Sequence, residues 1–174
     1  HAVGRAEMAT GNFSAAAEAF AEWERFHPGS RWSYVKHALA LSLDGQCDAA
    51  RRQAEAVEAM NKGQASSLME SWLAWGYKVC GNDESLVRSR ERILAAHSSV
   101  EDSTDAGLAY LYAIEGNPEK LTDTLGRVVS KGLPFTLFTK LFSVDNLGFG
   151  VSGQMSEYAP YQALLEELDY PEEG

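Results

Sequence analysis

Apolar residues along this chain recur at the three-to-four-residue spacing that places them on one face of a helix. Phe13, Ala16, Ala17, Phe20 and Trp23 make one such stripe, and Leu86, Ile93 and Leu94 another. Neither Val35, Ala38, Leu39, Leu41, Leu43 nor Leu108, Leu111, Tyr112, Ile114 alternates as a half-buried strand would, so no sheet is expected. The breaks in the pattern predict helices over approximately 1–10, 13–26, 31–44, 47–61, 65–80, 84–97, 103–115 and 118–131.

The breaks themselves repeat. Gly11-Asn12, Gly81-Asn82 and Gly116-Asn117 share one chemistry, and Gly45-Gln46 stands in the same relation to its surroundings. Glycine past a helix end takes the left-handed conformation that closes it, and an asparagine after it accepts the first free amides of the next helix. Pro118 loses only an amide that had no partner in the helix. These turns recur every 34 to 36 residues. Second breakers fall at His27-Pro28-Gly29, Asn61-Lys62-Gly63, His97 to Ser99 and Lys131-Gly132. The chain therefore divides into four hairpins, about 1–28, 29–62, 63–98 and 99–131, followed by capping helices and a tail over 132–174.

Within each period the residues resemble the tetratricopeptide repeat. The first offers Gly4, Gly11, Phe13, Ala16, Phe20, Trp23 and Pro28; the second Tyr34, Ala38, Leu41, Gly45, Ala50, Ala54 and Val57. The third offers Leu73, Ala74, Tyr77, Gly81, Leu86 and Ile93, and the fourth Leu108, Ala109, Tyr112, Gly116, Leu121, Leu125 and Val128. Arg90 and Ala54 depart from an aromatic position of the pattern, and Leu86 and Leu121 from an alanine position. Val144 to Phe149 and Pro160 to Leu165 resemble the segment that follows the last hairpin in bacterial regulators of this kind. The resemblance implies an all-α solenoid with a right-handed superhelix, ending near a natural C-terminus, with an effector domain upstream of His1.

Composition narrows the partners. Twenty-five acids against fifteen bases give a net charge of −10, which opposes binding to nucleic acid or to an anionic membrane surface. No apolar run approaches the roughly 18 residues of a membrane-spanning helix. Cys47 and Cys80 cannot build a disulfide framework and have no metal-site spacing. They favour a cytoplasmic location, with Cys47 packed in place of an aromatic near its turn.

Candidate chemistry is sparse. Gly148 to Gly153 spells a dinucleotide fingerprint without the strand and helix that such a site needs. His1, His27, His37 and His97 lack any metal-ligand spacing, and the acidic end from Glu166 to Glu173 reads as a solvated face. Neither catalysis, cofactor nor metal is expected. The family geometry instead points to a concave groove lined by the first helix of each hairpin. Its groove residues are Arg5, Trp32, Lys36, Leu39, Trp72, Trp75, Lys78 and Tyr110, with Met8, Val35, Ser42, Leu68, Ser71, Ser103, Ala106 and Ala113 beside them. Aromatic anchors among scattered bases suit a peptide or protein partner with apolar residues and some acidic character. Self-association through a hairpin face and small-molecule sensing in the superhelix cavity are the alternative functions. The same aromatics could also pack against neighbouring helices.

Overall fold

In a computed structural model, which describes residues 2–61, 65–99, 105–130 and 157–167, the four turn glycines all adopt positive φ. Gly11, Gly45, Gly81 and Gly116 lie between 67° and 78°, a region that costs a side chain strain. Each closes its helix by the same pair of backbone hydrogen bonds. At the second turn the Gly45 amide donates to the Ser42 carbonyl at 3.0 Å and the Gln46 amide to the Leu41 carbonyl at 2.8 Å. At the third and fourth turns the side chain of the next residue then caps the following helix. Asn82 Oδ1 accepts from the Ser85 amide at 3.2 Å, and Asn117 Oδ1 from the Lys120 amide at 3.1 Å. Asn12 differs from the expectation, because its amide turns back to donate to Glu7 Oε2 at 2.9 Å.

The helices are α1 (Ala2–Ala9), α2 (Phe13–Phe26), α3 (Arg31–Leu43), α4 (Cys47–Asn61), α5 (Ser67–Val79), α6 (Asp83–Ser99), α7 (Asp105–Ile114), α8 (Pro118–Ser130) and α9 (Ala159–Glu167). The fold is all-helical among the described residues, with no strand. Each hairpin packs on itself, α1 on α2, α3 on α4, α5 on α6 and α7 on α8. The first and second hairpins meet through α2 against α3, whereas the later ones meet mainly through their first helices, α3 against α5 and α5 against α7. Close approach there needs small residues. A Cβ on Gly107 of α7 would lie 2.8 Å from the Ser67 backbone of α5, and one on Gly76 of α5 would lie 2.8 Å from Ser42 Oγ of α3. Tyr161 of α9 is buried and packs α9 on α8, continuing the core past the last hairpin. The dinucleotide-like run and the first part of the regulator-like tail lie outside the described residues.

A polar element repeats inside this apolar stack. Eleven residues before Gly81, Glu70 is 3% exposed; its carboxylate accepts from Ser89 Oγ at 3.0 Å and from Arg92 Nη1 at 3.2 Å. Arg92 also reaches Glu58 of α4 at 3.3 Å, so one guanidinium ties α4, α5 and α6 together. Eleven residues before Gly116, Asp105 is equally buried and pairs with Arg127 Nε at 3.4 Å, while Arg127 Nη2 donates to Thr124 Oγ1. A buried carboxylate must be paired, which is why the same register carries acid, hydroxyl and arginine twice.

Cys47 and Cys80 form a disulfide, with Cα atoms 5.6 Å apart. The bridge joins the first residue of α4 to the residue that caps α5, and so staples the second hairpin to the third at their turn ends. This corrects the reading of Cys47 as a merely packed residue. Disulfides persist in oxidising surroundings, so the cysteines no longer argue for the cytoplasm. No helix among the described residues is long and apolar enough to cross a membrane.

Candidate functional site

Lys36 is one helical turn beyond Trp32 on α3, so the two side chains share a face. From α2, Trp23 approaches the same point, and from α5, Trp72. The Lys36 ammonium lies 5.4 Å from the ring centroid of Trp23, 5.6 Å from that of Trp32 and 5.8 Å from that of Trp72. Trp32 and Trp72 meet edge to face with centroids 6.0 Å apart, and Trp72 leans on Tyr110 of α7 at the same separation. Tyr110 is 1% exposed and forms the floor, whereas Trp23, Trp32, Trp72 and Lys36 are half-buried. Four helices thus build an aromatic enclosure around one cation.

Electrostatics set its character. Burial and then the charge of Arg5 push the Lys36 amine down to about 8, while the indole faces act in the opposite sense by favouring the ammonium. Burial holds the Tyr110 phenol well above its ordinary value, opposed by the adjacent Trp72 side chain and the charge of Arg5. Arg5 of α1 is exposed and has no ion pair among the described residues, so it adds a second positive charge beside the enclosure.

The residues expected in the groove therefore separate. Trp32, Lys36, Trp72 and Tyr110 come together, with Arg5 at their edge. Trp75 and Leu39 do not join them: each is 1% exposed and lies in the core. Leu39, Trp75 and Tyr110 all stand six residues before a turn glycine, and that register points sideways, into the contact between successive first helices. Met8, Val35, Ser42, Ser71 and Ala113 are buried as well, and Ser103 lies outside the described residues. Lys78 is exposed in the last turn of α5, where its charge suits the helix C-terminus and not the enclosure. Trp23 was missed in the groove because its place in the α2 stripe assigns it to the core; it is half-exposed.

Among the described residues no group of three or more His, Cys, Asp or Glu side chains is placed to hold a metal ion. His37 Nδ1 instead pairs with Glu24 Oε2 at 2.9 Å, linking α3 to α2 beside the enclosure. Comparison of the chain with protein-family models, with curated proteins and with solved structures finds no match.

Proposed function

We propose that this chain is a tetratricopeptide-repeat interaction module of a regulatory protein, whose aromatic enclosure receives a partner peptide or protein. One observation carries the reading. Phe20 and Trp75 are buried completely in the core, yet Trp23, Trp32 and Trp72 converge on Lys36 with part of each ring left in solvent. Half-exposed aromatics are what the centres of protein interfaces use, because they lose little conformational freedom and bury much area. The repeated turns and the layer of first helices support a superhelical solenoid as the scaffold. Apolar side chains would seat on the indoles, and acidic groups would meet Lys36 and Arg5. The net charge of −10 leaves such a local basic spot distinctive on the molecule.

The test is affinity capture with the chain as bait, beside the Trp32→Ala/Trp72→Ala variant checked for native circular dichroism. A partner held by the parent chain should be lost by the variant, since interface tryptophans commonly contribute about 2 kcal/mol or more each. Retention by the folded variant would move the binding surface elsewhere.

A further inference from the structure

The second hairpin contains a gap that the first hairpin fills. Counting from the turn glycines, Gly4 and Phe20 of the first hairpin occupy the register of Ala38 and Ala54 in the second, and Phe13 that of Cys47. In the first hairpin the Phe20 ring lies against Gly4, so close that a Cβ there would come within 2.6 Å of it. In the fourth, Leu125 takes this place and is fully buried. In the second, two methyl groups and a half-cystine stand where the first hairpin has two phenyl rings.

The missing volume is present as a cavity of about 170 Å³ between α3, α4 and α5, walled by Ala38, Ala50, Ala54, Leu73 and the Cys47–Cys80 bridge. Helix packing leaves room for it. The second helix of a hairpin packs on the next first helix at α2 with α3 and at α6 with α7, whereas α4 and α5 have no comparable contact. The apolar core also splits here. Ala38, Ala54 and Leu73 belong to a small cluster with Val35 and Val57, while Leu39 and Ala50, across the cavity, belong to the main one.

An apolar cavity of about 150 Å³ accommodates a benzene ring. This one is larger, and Ser42, Tyr77 and Asn82 add polar groups to its lining. Ser42 Oγ donates to the Ala38 carbonyl at 2.9 Å, which leaves its lone pairs free to accept. Asn82 uses Oδ1 on the Ser85 amide, and its NH₂ group has no partner among the described residues. A neutral donor–acceptor substituent such as a hydroxyl can donate to Ser42 Oγ and accept from the Asn82 NH₂ group. Asp48 and Arg51, both exposed, carry the lining to the surface.

We infer that the cavity between α3, α4 and α5 is a binding site for a single-ring aromatic molecule bearing a neutral hydrogen-bonding group, the ring replacing the side chain that Phe20 supplies in the first hairpin. The site is separate from the partner surface around Lys36, although Trp72 borders both. The two readings therefore stand or fall independently.

The test uses 4-fluorophenol as probe with the disulfide-intact chain. Its fluorine resonance should shift and saturate at millimolar concentration or below. Nuclear Overhauser contacts should run from the ring protons to the methyl groups of Ala38, Ala50, Ala54 and Leu73. Ala54→Phe, and the milder Ala54→Leu should the first not fold, would occupy the space and weaken binding at least tenfold. Absence of saturation, contacts to other methyl groups, or equal affinity in a folded filled variant would each overturn the assignment.

Discussion

Gly107 and Gly126 are both helical, yet they answer opposite needs. Gly107 sits where α7 touches the α5 backbone, and Gly126 of α8 has nothing within 4 Å of a hypothetical Cβ. Gly107→Ala should therefore cost roughly 2 kcal/mol by forcing the helices apart. Gly126→Ala should instead stabilise the chain by about 0.5–1 kcal/mol through helix propensity. Urea unfolding of the two variants beside the parent chain checks both signs. Lys36 supplies the pH prediction. Its native amine lies at about 8, below its value of 10.5 in an unfolded chain. Between those values the unfolded state binds more protons, so this group's contribution to stability rises as pH climbs from about 8 towards 10. Above that range the buried phenols of Tyr77 and Tyr110, both raised by burial, reverse the trend. The Lys36 Cε resonance should titrate near 8, and Arg5→Gln should move the midpoint upward; a midpoint near 10.5 in the parent chain would contradict the burial. Much of this residue-level detail was not legible in the sequence. Trp72 and Trp75 are three positions apart on one helix, and only the neighbouring first helices decide which of them is covered.

At the scale of elements, helix ends were legible because turn chemistry is local: a glycine that must take positive φ marks its own position. Pairings between elements were not. Cys47 and Cys80 are 33 residues apart with no signature around them, and stacking of one hairpin on the next is what brings them together. Closing a loop of that length should stabilise the chain by about 3–4 kcal/mol. Reduction by dithiothreitol, or the Cys47→Ala/Cys80→Ala variant, should lower the urea midpoint accordingly. The Glu70–Arg92 pair makes a sharper test of how the hairpins are tied. Arg92→Leu leaves a buried carboxylate without its cation and should cost about 2 kcal/mol, a value reduced by the partial exposure of the arginine. Removing both charges in Glu70→Leu/Arg92→Leu should recover part of the loss, because no buried charge is then left unpaired, although Ser89 Oγ loses its acceptor and Glu58 turns to solvent. A double variant as unstable as the single one would contradict this account of the pair.

For the whole molecule, the period of 34 to 36 residues was the strongest signal, since a repeated hairpin leaves its punctuation at every turn. What the period left undecided is which residues of the first helices face solvent. That depends on how far each hairpin is turned against the next, and the Gly76–Ser42 and Gly107–Ser67 approaches help to fix it. The outcome is a stack whose first helices bury one register of large residues and leave another, Trp32 with Lys36 and Trp72, partly open beside Trp23. The central claim is that this opening is the partner surface, and the four tryptophans allow a direct measurement. The indole ¹⁵N–¹H resonances of the labelled chain, recorded with and without the captured partner, should show Trp23, Trp32 and Trp72 shifting together while the core residue Trp75 stays in place. A partner that binds and leaves all three unmoved would contradict the account.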